Sequence, residues 1–200
     1  MGFILGWDPE TLRENVDLRA IGERLQELGG MRSLAALSEK ASLLCLADQL
    51  DEALATANQA LRQARFTGDR ETAARARVRR ASVLRRQGKT ADAVKDLSDV
   101  VAEAATHEWR HTEALARAHR AGAYFDAEDL EAAAGDLRTS ADLQRRLQVA
   151  DAELENTLAA LEIVEARRDE RRRLGVDKPA RPTHREGPDA ARHEPPRTTP

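Results

Sequence analysis

A forty-residue internal repeat is the feature that most constrains the fold of this 200-residue chain. When the sequence is shifted against itself by forty residues, small, large apolar and turn residues fall in register three times. The aligned columns are Ala41, Ala81 and Ala121; Ala53, Ala93 and Ala133; Leu44, Leu84 and Tyr124; Leu50, Thr90 and Leu130; Ala57, Leu97 and Leu137; and the turn residues Asp48, Gly88 and Glu128. Small residues at fixed offsets let two helices pack closely, so each copy is predicted to be an antiparallel helix pair. One pair cannot bury its apolar face alone, and the three pairs are therefore expected to stack.

The composition predicts that the chain is all-α. Aromatic residues make up 3% of the sequence, and no proline lies between Pro9 and Pro179. Long helices need such proline-free stretches, whereas strands favour the β-branched and aromatic residues that are scarce here. No apolar and polar alternation of strand length is apparent. The predicted helix pairs span about 33–47 with 50–65, 73–87 with 90–105, and 112–127 with 129–147.

The flanks are predicted to add one helix at each end. Asp8-Pro9-Glu10 has the residues of a helix start, and that helix would run to Gly29 and Gly30. Asp151 would cap a last helix ending near Arg173, after a weak break at Val149-Ala150-Asp151. Six of the seven prolines follow Gly175, which is typical of a disordered tail. The predicted domains are a 1–30 N-terminal segment with a capping helix, a 31–149 repeat region, a 150–174 capping helix and a 175–200 tail.

Charge and cysteine content limit the classes of partner and compartment. The net charge is −3 with acidic and basic residues interspersed, so no general attraction to nucleic acid is expected. The apolar patch of MGFILGWDPE is too short for a signal peptide or a membrane span. Cys45 has no second cysteine to pair with, which favours a reducing, cytoplasmic location. It lies late in its helix among leucines and is expected to be a small buried residue, not a reactive thiol.

The segment His107–His111 spells H-E-x-x-H, the pattern by which two histidines one turn apart bind zinc beside a glutamate base. The forty-residue register places His107 and Glu108 opposite Thr67 and Gly68, in the turn between two repeats. A zinc peptidase needs both histidines on one unbroken helix, and no third ligand stands out nearby. Polar turn residues, with Trp109 packing between repeats, are the favoured interpretation. No catalytic, metal-binding or cofactor-binding residue is therefore predicted, and the chain is not expected to be an enzyme.

The repeat resembles the tetratricopeptide repeat family over about Leu34 to Gln148. The small residues at Ala41, Ala81 and Ala121 and the alanines at Ala53, Ala93 and Ala133 fall at the family's small-residue positions. The spacing is forty instead of the usual ~34 residues, the family's tryptophan is replaced, and its closing proline is absent. The sequence looks like the longer-helix variant of bacterial signalling proteins and kinesin light chains. The resemblance implies a right-handed α-solenoid that binds a protein or peptide.

The resemblance also implies a concave groove lined by the first helix of each repeat. Within the middle repeat, Thr72–Ala91 contains six arginines and one lysine with no acid, so that groove would be basic at its centre. Guanidinium groups suit carboxylates or phosphorylated residues, whereas pairing with Asp92, Asp96, Asp99 or Glu103 of the next helix would make these arginines an ordinary solvated face. The groove residues carried over are Ser38, Ser42, Arg75, Val78, Ser82, Arg85, Leu115, Ala118, Gly122 and Phe125.

The sequence thus predicts a non-catalytic scaffold or adaptor that binds a protein or peptide, with an acidic ligand suited to the arginines. Nucleic acid and membrane are not expected as partners, and no cofactor is expected. Two alternatives stay open at this stage. One is a regulatory or homo-oligomerising helical module, and the more remote one is a zinc metallopeptidase acting through residues 107–111.

Overall fold

A computed structural model describes residues 3–67 and 69–175 of the chain. The elements in chain order are β1 Ile4–Asp8, β2 Arg13–Val16, α1 Leu18–Leu28, α2 Leu34–Leu46, α3 Leu50–Thr67, α4 Arg70–Arg86, α5 Thr90–Thr106, α6 Arg110–Asp126, α7 Leu130–Leu147 and α8 Asp151–Arg173. Each helix from α2 to α7 packs against the next one along the chain, which makes an α-helical repeat solenoid. The handedness of the solenoid stays a prediction. The predicted disordered tail lies, beyond Gly175, outside the described residues.

The three predicted helix pairs are confirmed as α2 with α3, α4 with α5 and α6 with α7. Most helix bounds agree with the prediction within two residues, but α4 begins three residues early, at Arg70. The reason is a cap that the sequence analysis did not use: the Asp69 carboxylate accepts a hydrogen bond from the Thr72 backbone N–H at 3.3 Å. Such a cap satisfies an N–H group that has no partner within the helix.

The forty-residue period is visible in the backbone of the turn inside each helix pair. Asp48, Gly88 and Glu128 have φ angles of 60°, 77° and 62°, in the left-handed region. In each turn the next residue's N–H bonds back into the preceding helix, as from Gln49 to the Leu44 carbonyl at 2.9 Å. This reversal brings the two helices of a pair together as antiparallel neighbours.

The alanine columns mark the closest contacts between helices. All six alanines at the small-residue positions are at most 1% exposed: Ala41, Ala53, Ala81, Ala93, Ala121 and Ala133. Larger residues fill the spaces beside them, and Leu97 and Leu137 are among the largest fully buried side chains. The prediction that small residues permit close helix packing is confirmed.

The predicted N-terminal helix beginning at Pro9 is wrong in its first half. Residues 4–16 form an antiparallel hairpin of β1 and β2, and α1 starts at Leu18 behind an Asp17 cap. The Asp8 carboxylate accepts from the N–H of Glu10 at 2.8 Å, which makes a turn and not a helix start. Asp followed by Pro favours either structure, and the pairing with β2 selects the turn.

The C-terminal helix α8 is separate from α7, as predicted. Gln148 adopts left-handed backbone angles, φ 52° and ψ 44°, and ends α7. The chain then turns, and α8 packs along α7, burying Thr157, Ala160 and Val164. The predicted break at Val149-Ala150-Asp151 is confirmed, and α8 covers the exposed side of the third repeat.

Candidate binding groove

Eight of the ten predicted groove residues line three adjoining cavities on the face formed by α2, α4 and α6. The first cavity lies between α2 and α4, the second lies between the hairpin and all three helices, and the third extends to α7 and α8. The eight residues are Ser38, Ser42, Arg75, Ser82, Arg85, Leu115, Ala118 and Gly122. The first helices of the repeats therefore share one continuous face.

The remaining two residues, Val78 and Phe125, are placed differently from the prediction. Val78 is fully buried in the cluster between α4, α5 and α6, and Phe125 is buried in the cluster between α6, α7 and α8. Neither lines any of the three cavities. Positions carried over from a family assume that the first helix of every repeat has the same rotation about its axis. In this structure the side chains of Val78 and Phe125 point into the core instead of the cavities.

The N-terminal hairpin lies across this face and covers part of it. Leu12, at the hairpin turn, is only 2% exposed and packs among Ala121, Phe125, Leu137 and Val164. Trp7 of β1 packs against the same cluster. At the other end, Phe3 and Val16 pack against Ile21 and Leu43 of α1 and α2. The hairpin thus spans the solenoid from its first helix pair to its last.

Arg85 of α4 joins the hairpin to the repeats. Its Nε and Nη2 atoms donate to the two carboxylate oxygens of Asp126 at 2.8 and 3.0 Å. Nη2 also donates to the backbone carbonyls of Thr11 and Leu12 at 3.2 and 3.1 Å. Charged hydrogen bonds of this kind are stronger than neutral ones, and the planar guanidinium suits the two-point contact. Arg85 therefore bonds within the chain instead of facing a ligand.

Gly122 makes room for this arginine. A Cβ placed on Gly122 would lie 2.3 Å from Nη1 and 2.7 Å from Cζ of Arg85. The guanidinium consequently crosses α6 directly over the glycine to reach Asp126, one turn further along the helix. Gly122, predicted as a groove residue, leaves the space that the Arg85 guanidinium occupies.

The arginines of α4 fall into two groups. Arg77 pairs with Glu103 at 3.2 Å and Arg80 pairs with Asp96, so these two are neutralised by α5. Arg75, Arg79 and Arg86 have no carboxylate partner among the described residues. Arg75 is exposed and lines the first cavity, together with Arg79. Pairing with α5 therefore neutralises Arg77 and Arg80, whereas Arg75, Arg79 and Arg86 have no such partner within the described part of the chain.

The first cavity is the open part of the face. It has a volume of about 620 Å³, and its lining combines the apolar side chains of Phe3, Leu34, Leu43 and Leu46 with polar and charged ones. The second cavity is smaller, about 260 Å³, and lies under the hairpin residues Ile4 and Glu14. The first cavity has the wider space for an external segment, because the hairpin covers the second one.

His119 and Cys45 line the second cavity, and both are uncharged at neutral pH. The His119 Nδ1 and the Ser82 hydroxyl are 2.9 Å apart. Burial lowers the pKa of His119 to about 4, with the Glu14 carboxylate opposing that shift and Arg85 and Arg79 adding to it. Burial raises the pKa of the Cys45 thiol to about 11. A thiol with that pKa is a poor nucleophile, which agrees with the prediction for Cys45.

The His107–His111 motif crosses a break between two helices. α5 ends at Thr106, Glu108 has a φ of 58°, and α6 begins at Arg110. The two histidines therefore do not share one helix, and the predicted turn is confirmed. His107 stacks on Trp109, with ring centroids 4.9 Å apart, and Trp109 packs against the cluster between α4, α5 and α6. Within residues 3–67 and 69–175, no group of three or more histidine, cysteine or acidic side chains is placed to hold a metal ion.

Sequence reasoning missed the hairpin and the residues that it brings to the face. Ile4, Trp7, Leu12 and Glu14 all line the second or third cavity. The sequence feature that could have indicated the hairpin is the short apolar run before Asp8-Pro9, because Asp-Pro favours a turn. Nothing in the repeat pattern indicated that this segment would return to the first helices.

Comparisons with known proteins identify part of the chain. Residues 32–102 match a family model for the tetratricopeptide repeat. This segment covers α2, α3 and α4 completely and α5 as far as residue 102. No curated protein and no solved structure gave a match. Across the described part of the chain, every helix is too short or too polar to cross a membrane.

Proposed function

Residues 32–102 are tetratricopeptide repeats, and we propose that the chain is a non-catalytic scaffold that binds a segment of a partner protein on the face formed by α2, α4 and α6. Repeats of this kind serve protein interaction in general. The face combines apolar side chains that line its cavities with arginines that have no carboxylate partner among the described residues, which suits a peptide with both apolar and acidic residues.

The observation that carries the proposal is the hairpin itself, because it is a polypeptide segment already bound to this face. The face contributes an apolar pocket for Leu12 and a guanidinium for the carbonyls of Thr11 and Leu12. Side-chain pockets and bonds to backbone carbonyls are how proteins recognise peptides. A surface that binds one segment of its own chain in this way has the chemistry to bind a segment of another protein.

The partner segment would lie in the open first cavity. Leu43, Leu46 and Phe3 supply the apolar wall, and Arg75 and Arg79 supply positive charge without a carboxylate partner. An acidic residue of the partner beside Arg75 would gain a charged hydrogen bond at an exposed position. Such a contact weakens as salt rises, because exposed charges are screened over ~8–10 Å at ordinary ionic strength.

Site-specific photocrosslinking in the native cell tests the proposal. A photoreactive phenylalanine analogue is placed at Ala35, an exposed residue that lines the first cavity, and in a matched chain at Ala55, an exposed residue of α3. We expect a crosslinked partner at Ala35 and none at Ala55. Adding Arg75→Glu to the Ala35 chain should reduce the yield, since the acidic partner would then meet a like charge.

Two outcomes would contradict the proposed binding face. Equal crosslinking at Ala35 and Ala55 would show that the α2, α4 and α6 face is not selected. A crosslinking yield that Arg75→Glu does not change would show that the charge of Arg75 does not contribute to partner binding. An adduct at Ala35 with the mass of two copies of this chain would favour the homo-oligomerising alternative instead.

A further inference from the structure

The second cavity is a chamber with a roof from the hairpin and walls from three helices. Ile4 and Glu14 form the roof, Ser42 and Cys45 come from α2, and His119 comes from α6. The helix α4 contributes Arg79, Ser82, Arg85 and Arg86 to the same wall. The volume of about 260 Å³ lies just below the ~300–1,000 Å³ range of small-molecule sites. The chamber is thus suited to a small molecule and too small for a folded segment.

The charges that line the chamber do not balance. Arg85 is neutralised by Asp126, but Arg79 and Arg86 have no carboxylate within ion-pair distance among the described residues. Arg79 bonds to the Arg75 carbonyl of its own helix, and Arg86 bonds to the Cys45 carbonyl at 2.8 Å. The Nε atom of Arg86 is buried without any partner. Two guanidiniums face a single carboxylate in the described lining, that of Glu14, which leaves an excess of positive charge.

A half-buried charge without a counter-ion is unfavourable, because the protein around it replaces water poorly. The effect is visible at Arg79, where burial lowers the pKa of the guanidinium and the neighbouring Arg75 lowers it further. An anion in the chamber would supply the missing negative charge. It would also give the open hydrogen-bond donors of Arg79 and Arg86 an acceptor.

The walls of the chamber also carry hydrogen-bond acceptors, in addition to the arginine donors. The Ser82 hydroxyl donates to the Val78 carbonyl at 3.1 Å, and in that arrangement it accepts the 2.9 Å bond from the Nδ1–H tautomer of His119. The Nε2 atom of this neutral imidazole is then an unprotonated acceptor. The chamber therefore has donors for an anion on α4, and acceptors for a hydroxyl or amine at His119 and Glu14.

We propose that this chamber binds a small anionic molecule, whose carboxylate or phosphate group is held by Arg79 and Arg86. This chamber adjoins the open cavity of the proposed function and shares Arg79 with it, but binding of a small anion here does not require a partner protein. Because Ile4 and Glu14 belong to the hairpin, the bound anion would contact both the hairpin and α4. A ligand that binds the docked hairpin better than the free one stabilises docking by its binding free energy.

The first test follows His119 in the full-length chain by NMR while inorganic phosphate or acetate is added at constant ionic strength, with chloride as the reference salt. We expect a saturable change in the His119 imidazole shifts at millimolar concentrations of one of the two probes. His111, exposed at the start of α6, serves as the internal control and should not respond. The probe that saturates at the lower concentration identifies the anionic group. No saturable change at His119 with either probe would overturn the proposal.

The second test compares two arginine substitutions. Arg79→Gln should weaken binding of the responding probe about tenfold or more, since hydrogen bonds to charged groups contribute ~1.5–3 kcal/mol. Arg146→Gln removes an exposed guanidinium of α7 and should leave the affinity unchanged. Equal weakening by both substitutions would show a general charge effect and would overturn the site. If Arg79→Gln fails to fold, the His119 titration of the unaltered chain still decides.

Discussion

Gly122 shows how one residue controls a long-range contact. Its missing side chain lets the Arg85 guanidinium lie against α6, bond to Asp126 and reach the carbonyls of Thr11 and Leu12. The glycine is buried within a helix, where it is less favourable than alanine by ~1 kcal/mol. A position that is unfavourable for the helix is thus favourable for the contact between helix and hairpin.

Gly122→Ala should loosen the hairpin without lowering the stability of the helices. The new methyl group would displace Arg85, whose four hydrogen bonds depend on its position, while the helix gains up to ~1 kcal/mol from the better residue. Hydrogen exchange of the hairpin amides should therefore become faster while the melting temperature changes little. Gly135→Ala is the matched control, because nothing lies within 4 Å of its added Cβ. That substitution should raise the melting temperature and leave hairpin exchange unchanged.

Unchanged hairpin exchange in Gly122→Ala would contradict the role of Arg85 as the link. It would mean that Arg85 finds an equivalent position, or that Leu12 burial alone holds the hairpin in place. Exchange accelerated equally by Gly135→Ala would likewise show that the effect is not local to the Arg85 contact.

Single residues also show what the sequence could reveal. The turn column of Asp48, Gly88 and Glu128 is identifiable from its forty-residue spacing, and the structure gives all three residues the same left-handed backbone. The helix start predicted at Asp8 is wrong because Asp-Pro begins both turns and helices, and the choice depends on a strand partner, β2, that local sequence does not specify. The groove position predicted for Val78 differs from the structure because the rotation of α4 about its axis is set by packing against α5 and α6.

At the scale of elements, α6 and α7 are joined by a buried ionic network. Asp136 of α7 is 5% exposed and accepts hydrogen bonds from Arg120 at 2.7 and 2.8 Å and from Arg117 at 3.1 Å. Arg117 also bonds to the buried Glu113 of its own helix. A buried network of this kind adds little over apolar packing when complete, but removing one member leaves buried charge unpaired.

Asp136→Ala should therefore destabilise the chain strongly, by about 3–5 kcal/mol, because Arg117 and Arg120 would lose their shared carboxylate. Chemical denaturation followed by circular dichroism measures this loss. Asp142→Ala on the same helix is the control, since its pair with Arg145 is exposed and such pairs contribute about 0–1 kcal/mol. A loss below 1 kcal/mol for Asp136→Ala would show that the network is not what joins α6 and α7.

The helical elements were largely predictable, and the hairpin was not. Each helix pair carries its own pattern of small and large residues, so local sequence determines α2 to α7. The hairpin has a single copy, four or five residues per strand, and no internal repeat to confirm it. Its stability comes from burial of Leu12 against helices more than 100 positions later in the chain, and such contacts are not encoded locally.

At the scale of the whole molecule, the hairpin couples the two ends of the solenoid. Phe3 packs near α1 and α2, while Leu12 packs among α6, α7 and α8. Glu10 adds an ion pair with Arg167 of α8 at 2.9 Å. The cluster formed by α4, α5 and α6 contains no hairpin residue, whereas the cluster formed by α6, α7 and α8 contains Leu12. Because α6, α7 and α8 also pack directly on one another, we expect the repeats to stay folded when the hairpin leaves the face.

Leu12→Asn should release the hairpin while the helices persist. Burial of a leucine side chain contributes ~1.5–3 kcal/mol, and this term is lost. Leu12 has a φ of 47°, a conformation that asparagine adopts more readily, so relief of backbone strain offsets part of the loss. In a Trp109→Phe background, fluorescence reports on Trp7 alone, because the chain has two tryptophans. We expect a red shift of this emission with unchanged helical circular dichroism.

Leu5→Asn is the matched control for that release, since Leu5 lies on the same hairpin and is 72% exposed. It should leave the Trp7 emission unchanged. A red shift of equal size in Leu5→Asn would indicate a general weakening of the hairpin instead of undocking. Loss of helical signal in Leu12→Asn would show that the repeats need the hairpin to fold. If the helices persist and Trp7 becomes exposed, the covered half of the face is free, and the crosslinking yield at Ala35 in the same variant measures whether the hairpin and the partner compete for it.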